Sequence, residues 1–238
     1  MIVGNLLVTA ASGRLAAYDL VSGTPRWVTK TTGGGYSSPY LATLAGVPQI
    51  LLLNGSGITS VGLDGTILWA NHSEDGMAIV QPQALDDASV LAASGDALRG
   101  LGVRRLAVSR AADGSWKAEQ RWISRGLKPY FSDFVVHKGH AHGFDGTILS
   151  AISLETGQRV WMGGRYGAGQ MLLLPQQDLL LVVSEEGDLV LVAASPDQHT
   201  EIAKFKAIEG KTWNHPVIVR DLLLVRNGEE MAAFRLQR

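Results

Sequence analysis

The chain has no cysteine. Disulfides, thiolate metal sites and a cysteine nucleophile are therefore excluded, although the compartment is not identified by this. An excess of one charge is also missing. Lys plus Arg number 21 and Asp plus Glu 22, giving a net charge of −1, and no basic stripe is present to hold a nucleic acid. Charged residues make up only 18% of the chain against 46% apolar, which does not describe a disordered segment. No apolar run approaches the roughly 18 residues of a spanning helix. The start, Met1-Ile2-Val3-Gly4-Asn5, has no basic n-region and no cleavage site, so it does not read as a signal peptide. Helical periodicity is absent throughout.

What the chain does have is 28 glycines and a repeat. Trp27, Trp69, Trp122 and Trp161 close look-alike segments at spacings of 42, 53 and 39 residues, and Phe205 continues the series 44 residues later. Strand-rich repeats of this length predict an all-β fold, a β-propeller with one four-stranded antiparallel blade per repeat. The predicted blades, within one domain of residues 1–238, are residues 1–30, 35–70, 77–123, 130–162, 168–206 and 211–238. In the second repeat, Asp64-Gly65 between two strand-like runs is a hairpin signal. In the third, residues 99–105 read as an extended loop or a longer hairpin.

The two ends read as incomplete. The first repeat begins at what looks like its second strand, residues 2–9. The last stops after its third strand, residues 231–236. Two arrangements fit: a six-bladed ring with two thin blades, or an open arc of a longer propeller.

Residues 17–27 read Ala-Tyr-Asp-Leu-Val-Ser-Gly-Thr-Pro-Arg-Trp, and residues 151–161 read Ala-Ile-Ser-Leu-Glu-Thr-Gly-Gln-Arg-Val-Trp. Residues 61–69 are a shortened copy through Leu63-Asp64-Gly65. These segments resemble the tryptophan-docking motif, Ala-x-Asp-x-x-Thr-Gly-Lys-x-x-Trp, with Ser153 standing where the motif has Asp. The chain thus resembles the PQQ-binding-like β-propeller repeat proteins, the quinoprotein dehydrogenase and BamB-like superfamily. Members have seven or eight blades, so the resemblance implies the C-terminal part of a longer propeller. They are typically exported, which implies a periplasmic or exported parent. Physically, a tryptophan on the fourth strand can lie in the gap between blades and bury about 200 Å² of ring.

Three loops ahead of predicted first strands share a pattern of Gly, a basic residue and an aromatic: Gly126-Leu127-Lys128-Pro129-Tyr130, Gly164-Arg165-Tyr166 and Gly210-Lys211-Thr212-Trp213. Asp133, Gln170, Asn214 and His215 follow them, and Ser37, Ser38 and Gln81 hold the matching places earlier. In a propeller these loops line one channel mouth. Convergence of Lys128, Arg165 and Lys211 would make a cationic funnel with aromatic walls, suited to a small anionic ligand, a quinone carboxylate or an acidic peptide of a protein partner. The same groups can instead cap strand ends and bridge blades.

His137, His140 and His142 flank a Lys138-Gly139 turn and point to one face. Such a trio can hold Zn²⁺ or Ni²⁺ or simply pack on the strand. The resemblance implies PQQ with Ca²⁺ and an Asp base, but the ligand set has no match here, and Asp133 is the one carboxylate nominated as a base. Ser37-Ser38 is not a nucleophile elbow. Glu185-Glu186 and Glu229-Glu230 read as solvated turn charges.

The first functional expectation is a non-catalytic propeller that binds a ligand or protein partner at the channel mouth. The alternatives are a PQQ-dependent alcohol or sugar oxidoreductase, and a fragment of a longer propeller without activity of its own. Unpaired edges at the first and last blades predict self-association.

Overall fold

A computed structural model describes residues 1–31, 33–73, 78–94 and 102–236. Every regular element among them is a strand, and they form six antiparallel sheets. No helix among the described residues is long and apolar enough to cross a membrane. The chain divides into two compact units, Met1–Tyr130 and Phe131–Arg238.

The first unit holds three sheets, each a four-stranded meander. Sheet one is β1 (Ile2–Val3), β2 (Leu6–Ala11), β3 (Arg14–Asp19) and β4 (Pro25–Lys30). Sheet two is β5 (Tyr40–Leu44), β6 (Val47–Asn54), β7 (Gly57–Gly62) and β8 (Ile67–His72). Sheet three is β9 (Gln83–Ala84), β10 (Ser89–Ser94), β11 (Gly102–Arg110) and β12 (Trp116–Ser124).

The second unit holds sheets four to six. Sheet four is β13 (Val135–His137), β14 (His140–Asp145), β15 (Ile148–Ser153) and β16 (Arg159–Arg165). Sheet five is β17 (Gln170–Leu174), β18 (Leu179–Val183), β19 (Asp188–Ala193) and β20 (Glu201–Lys206). Sheet six has three strands, β21 (Val217–Val219), β22 (Leu222–Arg226) and β23 (Met231–Arg235).

The middle strands are buried on both faces, as in the Ile50, Leu51, Leu52 and Leu53 run of β6, and so read as continuous apolar runs. Within each unit the core lies between successive sheets. Val8 and Leu15 of sheet one pack with Ile50 and Val61 of sheet two, and Leu53 and Trp69 of sheet two pack with Val90 and Leu106 of sheet three. Sheets four and five share Phe144, Trp161 and Leu180, and sheets five and six share Leu181, Leu189 and Leu223.

Two sequence expectations need correction, and one open alternative is resolved. Sheet one does have its first strand: Ile2–Val3 pairs with Leu6 and Leu7 across a Gly4-Asn5 turn, with Gly4 at φ +56°. The apolar residues on both sides of that turn made two strands look like one. Residues 99–105, read as an extended loop or a longer hairpin, take the longer-hairpin form where they are described, with β11 pairing β12 from Val103 to Arg110; residues 99–101 lie outside the described residues, as does the blade boundary at Met77. The rest belongs to β11, where Val103, Leu106 and Val108 are buried.

The second correction concerns Phe205. In sheets one to four, the pairing of the third and fourth strands carries an extra residue that a tryptophan follows directly, and sheet four has a second irregularity between Ile148 and Ser150. Trp27 faces Ala17, Trp69 faces Ser60, Trp122 faces Arg105 and Trp161 faces Ala151. In sheet five the residue after the bulge is Ala203, opposite Leu191. Phe205 lies two residues further along, opposite Leu189, and is 51% exposed.

The tryptophans show what the shared position does. Trp27 Nε1 donates to the Leu63 carbonyl in the next sheet at 2.9 Å. Trp161 Nε1 donates likewise to the Ser195 carbonyl at 2.8 Å. Trp69 is 5% exposed and donates within its own sheet, to Gln49 Oε1 at 2.7 Å. Trp122 is half-buried.

The loop between β3 and β4 is closed by Asp19. Its Oδ1 accepts from Ser22 N at 2.8 Å and Val21 N at 3.1 Å, and its Oδ2 from Arg26 at 2.6 Å. The backbone bond from Ser22, then Arg26, holds the Asp19 carboxyl far below the usual carboxylate range. The Ser153 hydroxyl, in the matching place of sheet four, accepts a long 3.4 Å contact from Thr156 N.

Candidate functional site

The loops that lead into first strands are held by glutamine side chains. In the first unit, Gln81 Nε2 donates to the Pro39 carbonyl at 3.0 Å. A cavity of about 480 Å³ lies beside it, lined in part by Arg14, Tyr36, Ser37, Ser38, Asn54 and Gln81. Tyr36 is 74% exposed. Lys128 and Tyr130, the last candidates in this unit, are half-buried.

In the second unit, Gln170 opens β17 and is 2% exposed. Its Nε2 donates to the Phe131 carbonyl at 3.0 Å and the Trp213 carbonyl at 3.2 Å, and its Oε1 lies 3.4 Å from Asp133 N. One buried side chain thus ties the loops leading into sheets four and six. A buried amide without these partners would cost about 1–3 kcal/mol, so the arrangement is self-consistent.

Glu185 is a second tie, and it was read from sequence as a solvated charge. Its Oε2 accepts from Ala168 N at 3.1 Å and its Oε1 from Trp213 Nε1 at 2.9 Å. The bond from Ala168, then that from Trp213, lowers its pKa. Lys211 Nζ lies 3.9 Å from Glu185 Oε1 and 3.9 Å above the centre of the Trp213 ring. The Phe131 ring is tilted against Trp213 with centroids 5.3 Å apart. Trp213 itself is 47% exposed.

The remaining candidates divide. Arg165 ends β16 and is exposed, as is His215, while Asn214 is half-buried. Tyr166 does not join an aromatic wall. It is 3% exposed, and its hydroxyl donates to Glu201 Oε2 at 2.9 Å with His199 Nε2 also at 2.9 Å. Glu201 belongs to β20, the outermost strand of sheet five, and the ring itself is buried in the core cluster that holds Phe144, Trp161 and Met171. Burial, then the Glu201 hydrogen bond, pushes the Tyr166 pKa up. The sequence pattern located this residue but carried no information on its direction. Lys211 also departs from the funnel expectation, because Glu185 faces its charge.

The three histidines do not assemble. His137 Nε2 lies 2.6 Å from Asp178 Oδ1, and His140 Nδ1 lies 2.9 Å from the Lys138 carbonyl. His142 is fully buried 5.7 Å from the Trp161 ring, and neither of its ring nitrogens has a hydrogen-bond partner among the described residues. Burial lowers its pKa to about 4. Among the described residues, no group of three or more His, Asp or Glu is placed to hold a metal ion.

Ca²⁺ requires six to eight oxygen ligands, so these residues do not fit the ion that accompanies PQQ. Asp133 is half-buried and its Oδ1 accepts from Phe134 N at 2.9 Å. Burial raises its pKa, with the Phe134 bond and the His215 charge opposing.

The sequence matches no protein-family model. It matches none of the curated proteins either. Solved structures do resemble it. BamB from Moraxella catarrhalis has a TM-score of 0.62 at 16% identity, over 97% of this chain and 81% of that one. U3-55K has a TM-score of 0.62 at 14% identity, over 95% and 71%. A chain of the mitotic checkpoint complex has a TM-score of 0.60 at 10% identity, over 99% and 74%. At these identities the likeness is one of fold, and the fold is that of a β-propeller, whose blades are the six sheets.

Proposed function

We propose that the six blades form one propeller domain of the PQQ-like repeat kind, and that it is a non-catalytic binding protein. Its partner is another protein, contacted through the loops ahead of the first strands and centred on Trp213. One observation carries this reading. Trp213 is a half-exposed indole on a fixed mount, held by Glu185, Gln170 and Phe131 and flanked by Lys211. A rigid aromatic beside a cation, with little side-chain entropy left to lose, is the type of residue that dominates protein interfaces. The docking-like segments at residues 17–27 and 151–161 and the likeness to BamB support the PQQ-like relation. The assembly in which one similar propeller was solved supports a protein partner.

The test places a photo-crosslinking residue at Asn214 and, as a control, at Lys204 on β20, in cells that make the protein. A discrete adduct from position 214 that disappears with Trp213→Ala supports the proposal. Equal adducts from both positions sink it. Dye-linked oxidation of an alcohol or sugar with added PQQ and Ca²⁺, abolished by Asp133→Asn, would sink it as well.

A further inference from the structure

The position that holds a tryptophan in sheets one to four holds Ala203 in sheet five. Ala203 is exposed. Beside it, between sheets five and six, lies a cavity of about 530 Å³. Its walls include Leu174, Leu191, Ala203, Phe205, Phe234 and Leu236. The Phe205 and Phe234 rings meet edge to face at 5.5 Å and 74°. The space that an indole fills elsewhere is thus an open apolar slot with an aromatic wall.

The rim of the slot is polar. Arg220, at the tip of the β21–β22 hairpin with φ +59°, lines it together with Gln176 and Gln177. Arg220 is exposed and has no ion-pair partner among the described residues. Two carboxylates of the neighbouring turns are already engaged. Asp221 is held by Arg235, and Asp178 by His137 and Lys138.

We propose that this slot binds an aromatic monocarboxylate. The ring occupies the gap left at Ala203, and the carboxylate pairs with the Arg220 guanidinium, whose planar fork suits two parallel hydrogen bonds. The volume falls within the roughly 300–1,000 Å³ of small-molecule pockets, and an apolar lining with one oriented charge matches their usual construction.

The test titrates the full chain with indole-3-acetate and, separately, with neutral indole, followed by calorimetry and amide chemical shifts. The expected result is saturable binding of indole-3-acetate, with shifts centred on Leu191, Ala203 and Phe234. Arg220→Gln should weaken indole-3-acetate about tenfold and leave indole unchanged. Ala203→Trp should remove both while the far-ultraviolet spectrum stays that of the parent. If that variant does not fold, Ala203→Met should still weaken both probes. The proposal is overturned if neither probe binds at millimolar concentration, if the shifts centre elsewhere, or if Arg220→Gln weakens both probes alike. Sedimentation showing a dimer that Ala203→Trp dissociates also overturns it, since a second copy would then fill the slot.

Discussion

Gly65 lies flat against the indole of Trp27. A Cβ on Gly65 would stand 2.7 Å from Trp27 Cγ and 2.8 Å from Cδ2. Gly65 also has φ +89°, in the Asp64-Gly65 turn that Asp64 closes through Thr66 N at 3.0 Å. The turn and the docking site are therefore one device. The first blade's tryptophan reaches the second blade only because the second blade's turn carries no side chain there.

Gly65→Ala should therefore be costlier than an alanine at a comparable turn. Gly46 is the control: its φ is +72° and nothing lies within 4 Å of its Cβ position. Both variants carry the left-handed strain of about 1–2 kcal/mol. Gly65→Ala adds a clash with a packed ring, worth roughly 1–3 kcal/mol more. Urea denaturation of the two variants checks this. Equal destabilisation would mean that Trp27 can step aside.

Trp161 and Trp213 should separate stability from binding. Trp161 is 7% exposed and Trp213 is 47% exposed. Trp161→Ala should cost roughly 3–5 kcal/mol, as for a large buried aromatic. Trp213→Ala should cost under about 1 kcal/mol, as for a surface site, while abolishing the crosslink at position 214. If Trp213→Ala unfolds the protein, its ring is a structural element and the proposed partner surface loses its centre.

What the sequence reveals follows from what each residue has to do. A docking tryptophan must be large and a tight turn must have glycine, so Trp27, Trp161 and Asp64-Gly65 are readable as letters. A β-bulge is not. The loop between β19 and β20 lengthens the spacing, so Phe205 looks like the fifth docking residue while register gives that place to Ala203. Glu185 looks solvated because Ala168 and Trp213, its partners, lie 17 and 28 residues away. Tyr166 follows the pattern of Trp213 in sequence but is buried where Trp213 is half-exposed. Distant pairing and side-chain direction are tertiary facts that local pattern does not carry.

β23 pairs only with β22 among the described residues. Its free edge exposes Met231 at 69% and presents unpaired backbone groups, which favour edge-to-edge pairing. Concentration-dependent self-association is expected in light scattering. Ala233→Lys, placing a charge on this strand, should shift the population toward monomer. A monomer at all concentrations for the parent chain would show that the edge is protected.

His142 makes stability depend on pH. Its ring is buried between Val135 on β13 and Ala151 on β15, its pairing neighbours, with both nitrogens unpartnered. Burial holds its pKa at about 4 against the ordinary histidine value of 6.5, with the His140 and His137 charges adding to the effect. Between those values the unfolded chain takes up a proton that the folded chain refuses. Stability is therefore undiminished above about pH 6.5 and falls as pH drops toward about 4, by roughly 3 kcal/mol in total. Asp133 acts in the opposite sense, since burial raises its pKa and acid relieves that cost. Glu185 and Asp178, with lowered values, lose their contribution mainly at the acid end of this window and below it. A single variant isolates His142 from all of these. His142→Leu removes two unsatisfied nitrogens at similar volume, so at pH 7.5 it should be at least as stable as the parent. Its advantage over the parent should widen steadily as pH falls from 6.5 to 4.5. Denaturation midpoints across that range measure the difference directly, and an advantage that stays constant with pH would mean that His142 protonates freely in the folded chain.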